Sequence, residues 1–196
     1  GHDLSFTRTS SQYVAIPSNA ALNPSGNFTV EAWIKPTTVA ADQVIWAMDN
    51  GTACNYRSLD MNAGKLQYAW GSACGNYRQY QTTSTVFTAG TWYHVAVTIN
   101  GTGAPTLYVN GVLQAASLSL SAGSAALPTT SASAIGREGA YSGGASFYFN
   151  GQIDEVRISN TLRYRENFTP QTTPFAKDQF TAGLWHLDDG SGTSAA

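Results

Sequence analysis

Asp154 is the residue from which a site is most directly argued. It sits in Gly151-Gln152-Ile153-Asp154-Glu155-Val156-Arg157-Ile158, a stretch whose alternation fits a β-strand. On an unbroken strand Val156 and Ile158 face a core, Glu155 and Arg157 face solvent, and Asp154 shares the side of Val156 and Ile158. A carboxylate on a core face has to be compensated, because an isolated buried charge is far too costly. Two compensations are open: hydrogen bonds from backbone N–H groups or an arginine, or a structural cation clamping this strand to the N-terminus.

A second set of residues is aromatic and polar. Ser72 to Gln81 contains Asn76, Tyr77, Arg78, Gln79, Tyr80 and Gln81; the hairpin before it offers Asn55, Tyr56, Arg57, Tyr68 and Trp70; residues 137–148 offer Arg137, Glu138, Tyr141 and Tyr148. Aromatic faces stack on the apolar faces of sugar rings, and amides, carboxylates and guanidinium groups bond their hydroxyls. Converging at one end of a domain or on a concave face, these stretches would make a polar-aromatic cleft. Tyr77, Tyr80 and Tyr141 lie in glycine-flanked stretches taken here as loops, whereas Trp70, Tyr56, Tyr68 and Tyr148 equally suit ordinary sheet positions.

Nucleophilic and zinc chemistry find no constellation. His94 is mid-strand, on the opposite parity from Tyr93, Val95, Val97 and Ile99, and is expected to be packed or hydrogen-bonded. No Gly-x-Ser-x-Gly elbow accompanies it. Cys54 and Cys74 lie twenty residues apart with no histidine partners of metal spacing. If Asn62 and Ala63 centre a hairpin turn, both cysteines come to its open end, where a disulfide is geometrically reasonable; two free thiols are the alternative.

The elements that position these groups are short strands. Phe28-Thr29-Val30-Glu31-Ala32-Trp33-Ile34-Lys35 alternates cleanly, as does Thr91 to Ile99, and Asn110-Gly111 marks a hairpin. Turn signals recur every 8–15 residues and no helical period runs for any length, so the expected class is an all-β antiparallel sandwich. At 196 residues, 11% of them charged and with a formal net charge of −2, the chain suits one domain and offers no basic patch for nucleic acid. No apolar run long enough for a membrane span occurs, so no membrane insertion is expected. Abundant Ser, Thr, Gly, Ala and Asn with little Lys or Glu point to an extracellular β-protein.

Five ordered motifs carry a resemblance: Phe28 to Pro36, Trp92 to Thr98, Leu107-Tyr108-Val109-Asn110-Gly111, Ile135-Gly136-Arg137, and Phe149 to Ile158. Together they resemble the laminin-G-like jelly rolls of the concanavalin A-like lectin/glucanase superfamily, in the bacterial branch related to pentraxins. The resemblance spans residues 3–168. It implies a two-sheet jelly roll with neighbouring terminal strands. In many members it also implies a structural calcium ion held by an aspartate matching Asp154, with Asp3 and the Gly26-Asn27 loop as further contributors. Oxygen donors of this kind suit Ca²⁺. In tandem arrays of the family a Leu-Trp-His-x-Asp motif precedes the first strand of its own repeat. Residues 169–182 are therefore expected to be a linker, and residues 183–196, with Leu184-Trp185-His186-Leu187-Asp188-Asp189, the first strand of a following repeat that pairs into the sheet edge beside it.

The glucanases of the superfamily carry Glu-x-Asp-x-x-Glu on one strand, and this chain has no such run. The expectation is a non-catalytic, calcium-stabilised carbohydrate-binding module of a larger secreted or cell-surface bacterial protein. The ligand, a glycan or polysaccharide, would be bound by Trp70, Tyr77, Arg78, Tyr80, Arg137 and Tyr141. The alternative is a structural or adhesion repeat that contacts other proteins or spaces neighbouring repeats.

Overall fold

A computed structural model describes residues 3–49, 54–124, 126–129, 132–138 and 147–188. Its fourteen strands, all antiparallel where paired, form two seven-stranded sheets. The first contains β1 (Leu4–Phe6), β3 (Asn27–Pro36), β8 (Tyr93–Asn100), β9 (Thr106–Val109), β10 (Val112–Leu113), β13 (Gly151–Ser159) and β14 (Thr181–Trp185). Its order is β1-β13-β3-β8-β9-β10, with β14 also on β13. The second runs β11-β7-β6-β5-β4-β12-β2, built from β2 (Val14–Ile16), β4 (Gln43–Asp49), β5 (Asn55–Asn62), β6 (Lys65–Ala73), β7 (Asn76–Thr82), β11 (Ala116–Ala122) and β12 (Ser133–Ile135). The expected two-sheet sandwich is what the chain forms.

Alternation puts the core between the sheets. Phe28, Val30, Ala32 and Ile34 of β3 and Val95, Val97 and Ile99 of β8 meet Trp46, Met48, Leu59, Met61, Leu66, Tyr68 and Trp70 of the second sheet, all buried. β1 and β14 share one side of β13: Leu4 to Phe6 pair with Ile153 to Gly151, and Trp185 to Thr181 pair with Val156 to Ser159. The C-terminal strand, Thr181–Trp185, thus occupies the sheet edge beside β13.

The parity reading of Asp154 fails, and the register shows why. Asp154 pairs with Trp33, but the next matched pair is Arg157 with Glu31, so Glu155 and Val156 together face Ala32. This is a β-bulge, with Glu155 at φ 52°. The extra residue resets the alternation: Ile153, Val156 and Ile158 enter the core, while Asp154 joins Trp33 and His94 on the outer face. Asp154 needs no core compensation.

The outer face of the first sheet is covered, so Glu155 and Arg157 do not face solvent as an unbroken strand would require. Glu31 is fully buried, and Arg157 is only 7% exposed. Arg157 Nε donates to Glu31 Oε1 at 2.8 Å, Tyr164 Oη donates to Oε2 at 2.6 Å, and His94 Nε2 lies 3.0 Å from Oε2. Burial opposes ionisation of Glu31, but the His94 hydrogen bond and the Arg157 charge outweigh it, so its pKa is lowered. Tyr164, Phe168 and Phe175 roof the network, their rings edge-on to the His94 imidazole. The segment after β13 lies on this face because buried polar groups there need its partners: Tyr164 Oη donates to Glu31, and Phe175 N–H donates to Glu155 Oε2 at 2.6 Å. His94 is a packed, hydrogen-bonded histidine, as its place in β8 suggested.

Candidate functional site

The outer face of the second sheet carries a depression whose shape follows from side-chain size. Across β4, β5, β6, β7 and β11 one row reads Ala47, Ser58, Ala69, Gln79 and Leu120. The next reads Tyr56, Gly71 and Tyr77, and the third Asp60, Gln67 and Gln81. Small residues at the centre, Ala47, Ser58, Ala69 and Gly71, leave a floor; the two tyrosines, Gln79, Asp60 and Gln67 stand around it. Gly71 has to be glycine: a Cβ there would meet Asn76 O and Tyr77 Cβ at 2.9 Å. Asp42, Glu138, Phe147 and Leu120 complete a cavity of about 250 Å³. The Cys54–Cys74 disulfide, Cα atoms 4.9 Å apart, ties the start of β5 to the β6–β7 turn at one end of it.

The depression is acidic. Burial, then the charge of Glu138, push Asp60 well above the usual carboxylate range, with a hydrogen bond from Gln67 acting in the other direction. Glu138, 9% exposed, is pushed up to about 7 by burial and by Asp49 and Asp42. Burial also raises Asp42, against the nearby Arg8. Gln67 is 5% exposed and gives its Nε2 to Asp60 Oδ2 at 2.9 Å. That leaves Gln67 Oε1, Asp60 Oδ1 and Asp42 Oδ1 buried with no partner among the described residues. Among the described residues no Lys, Arg or His lines the cavity.

A second depression, of about 350 Å³, lies on the first sheet and is lined by Trp33, Trp92, Asp154, Glu155, Thr172, Thr173, Pro174 and Asp188. Burial raises the Asp154 carboxyl to about 6, helped by the charges of Glu155, Asp188 and Asp3. Its Oδ1 accepts from Glu155 N–H at 2.8 Å. Asp3 reaches this place because Leu4 pairs with Ile153. Asn27 does not: it lies at the far end of β3, six residues from the Trp33 that faces Asp154, about 20 Å away at ~3.3 Å per residue. Among the described residues no three acidic or histidine groups converge as a cage for a metal ion. A cation at Asp154 would therefore rest on that carboxylate, Asp3 and backbone carbonyls; the repulsion that raises Asp154 is of the sign a cation relieves.

The aromatic and basic residues singled out from sequence are not brought together. Ser72 to Gln81 holds strand β7 rather than a loop, so its side chains alternate. Tyr77 walls the depression, but Tyr80 turns inward and stacks on the buried Trp70, ring centroids 6.0 Å apart at an interplanar angle of 2°. Arg78 is spent on backbone, donating to the carbonyls of Tyr77, Ala122 and Gly123 at 3.0 Å. Arg137 lies over the Tyr13 ring, 3.9 Å from its centroid. Tyr141 falls outside the described residues. Asp42, Asp60 and Gln67 were missed. The alternation of Tyr56, Ser58 and Asp60 against Arg57, Leu59 and Met61 would have put the first three on one face.

Residues 8–167 match the laminin-G-like family described as the concanavalin A-like lectin/glucanases superfamily. The chain belongs to that superfamily. Among solved structures it is similar to a carbohydrate-binding candidate from Bacteroides ovatus ATCC 8483, at 20% identity and a TM-score of 0.70 over 98% of this chain and 53% of that one. The chain thus spans about half the length of that protein. It is also similar to the CBM40 module of the Ruminococcus gnavus IT-sialidase bound to α2,3-sialyllactose (16% identity, TM-score 0.61, 78% and 91% of the two chains). A third likeness is to the heptameric SAP-like pentraxin from Limulus polyphemus (17% identity, TM-score 0.56, 82% and 76%). At these identities the likeness is one of fold. No match is found among curated proteins. Among the described residues no helix is long and apolar enough to cross a membrane.

Proposed function

We propose that the chain is a carbohydrate-binding module that holds a sugar in the depression on the second sheet. The observation that carries the reading is the row arrangement: Tyr56 and Tyr77 flank a floor of Gly71, Ala69 and Ser58, with Gln79, Gln67 and Asp60 alongside. Aromatic rings offer flat apolar walls to a pyranose, and the amides and carboxylates accept from its hydroxyls. Superfamily membership supports it, as do related structures described as carbohydrate-binding. Tyr77 takes over the role that the sequence reading shared among Trp70, Tyr80 and Arg78, and Tyr56 joins it.

The module is read as non-catalytic. Glycoside hydrolysis needs one carboxyl held protonated and a second held ionised. The Glu-x-Asp-x-x-Glu run that supplies such a pair in the glucanases of the superfamily is absent from this sequence. We also propose a stabilising calcium ion at Asp154 and Asp3, and placement outside the cell as part of a larger protein, where the disulfide persists. A glycan array tests the main reading: wild-type protein gives sugar signals, and Tyr77→Ala loses them while melting at the same temperature. An array blank under all conditions would favour the adhesion or spacer reading.

A further inference from the structure

We infer that the depression on the second sheet selects sugars bearing a free amino group over acidic ones. This rests on the carbohydrate reading and adds to it the charge class of the ligand. Among the described residues its lining holds Asp42, Asp60 and Glu138 with no basic side chain. Residues 50–53 and 139–146, which adjoin Cys54 and Glu138 in the sequence, include no charged residue.

A second observation, independent of the acids, points to the same ligand. Gln67 is an amide, 5% exposed, whose Nε2 is engaged by Asp60 and whose Oε1 is left without a partner. With Asp60 Oδ1 and Asp42 Oδ1 it makes three buried oxygens to which no described residue donates. A sugar hydroxyl brings its own lone pairs into such a place. An ammonium brings three N–H donors and no acceptor, together with the charge that offsets the repulsion among the carboxylates. A carboxylated sugar would bring a further negative charge into a desolvated acidic site. A calcium ion wants six to eight oxygens around one point, and among the described residues the acidic side chains do not converge in that way. At about 250 Å³ the cavity is slightly smaller than pockets for drug-sized ligands, in keeping with one sugar ring between Tyr56 and Tyr77.

The test is calorimetric titration in EDTA near pH 6.5 with three probes: a glucosamine tetramer, its N-acetylated counterpart, and α2,3-sialyllactose. The glucosamine tetramer should bind at least ten-fold more tightly than the N-acetylated one, and sialyllactose should not bind. Asp60→Asn and Glu138→Gln should each bring the two tetramers toward equal affinity. Raising the salt on wild-type protein should shrink the preference as well, which keeps the test alive if a variant fails to fold. Equal or tighter binding of the N-acetylated tetramer, or any binding of sialyllactose, overturns the amine selectivity and leaves the carbohydrate reading standing. Sugar binding that appears only when calcium replaces EDTA also overturns it, since the depression would then be a metal site. No binding of any sugar, with calcium or without, brings down both.

Discussion

Glu31→Ala should be the most damaging single change on the outer face of the first sheet. The Glu31 carboxylate is fully buried and is shared by Arg157 at 2.8 Å, Tyr164 at 2.6 Å and His94 at 3.0 Å. Its removal strands the Arg157 guanidinium, 7% exposed, under the Phe175 ring, which lies 4.1 Å from it. Breaking one partner of a buried ion pair costs about 3–5 kcal/mol. Each kcal/mol moves the melting temperature by roughly 2–4 °C in a chain of this length, so a fall of roughly 6–20 °C is expected. Urea unfolding followed by tryptophan fluorescence should report the same loss. Asp178→Asn is the control: Asp178 is 44% exposed at the side chain, and its bond to Arg163 is a surface pair worth about 1 kcal/mol or less. A Glu31→Ala protein within ~1 kcal/mol of wild type would refute the account of why the C-terminal segment lies on this sheet.

Calcium should raise the melting temperature by several degrees over EDTA, and Asp154→Asn should remove the difference; identical curves for wild type in both buffers would dismiss the cation. Glu138 predicts a pH signature with a definite sign. Its folded-state pKa of about 7 lies above the ordinary 4.5, so the folded protein keeps this proton after the unfolded chain has lost it. Stability therefore falls as pH rises from 4.5 to 7, by roughly 3 kcal/mol from the 2.5-unit difference. Urea midpoints across that window should slope less in Glu138→Gln, and an unchanged slope would count against the buried acid. Reducing Cys54–Cys74, which closes a loop of separation 20, should cost about 3 kcal/mol and weaken any sugar bound beside it. Sugar affinity indifferent to reduction would separate the disulfide from the site.

Much of the sandwich was legible because its strands obey period two without interruption. Phe28 to Lys35 and Tyr93 to Ile99 gave their core faces directly, and Asn110-Gly111 gave its turn. The Asp154 strand misled through one residue: a bulge at Glu155 leaves no local trace in the sequence, yet it inverts the side on which every earlier residue lies. Tyr77 and Tyr80 were separable in principle once residues 76–82 are taken as a strand, since an odd spacing puts them on opposite faces. The acids of the depression were harder. Asp42, Asp60 and Glu138 come from three distant segments, and only the pairing of β4, β5 and β12 assembles them. Sequence alternation put Glu155 and Arg157 toward solvent, so nothing in it showed that the C-terminal segment covers Glu31, Arg157 and Glu155. Their burial is a tertiary fact, made possible by the partners that Tyr164 and Phe175 supply.

The central claim is that the face of the second sheet holds the ligand, and amide chemical-shift mapping tests it most directly. Titrating ¹⁵N-labelled protein with the strongest sugar from the array should perturb Tyr56, Asp60, Gln67, Tyr77 and Gln79 and leave Trp33, Trp92 and Asp154 unmoved. Shifts centred on Trp33, Trp92 and Thr172 would contradict the claim and move the site to the other sheet.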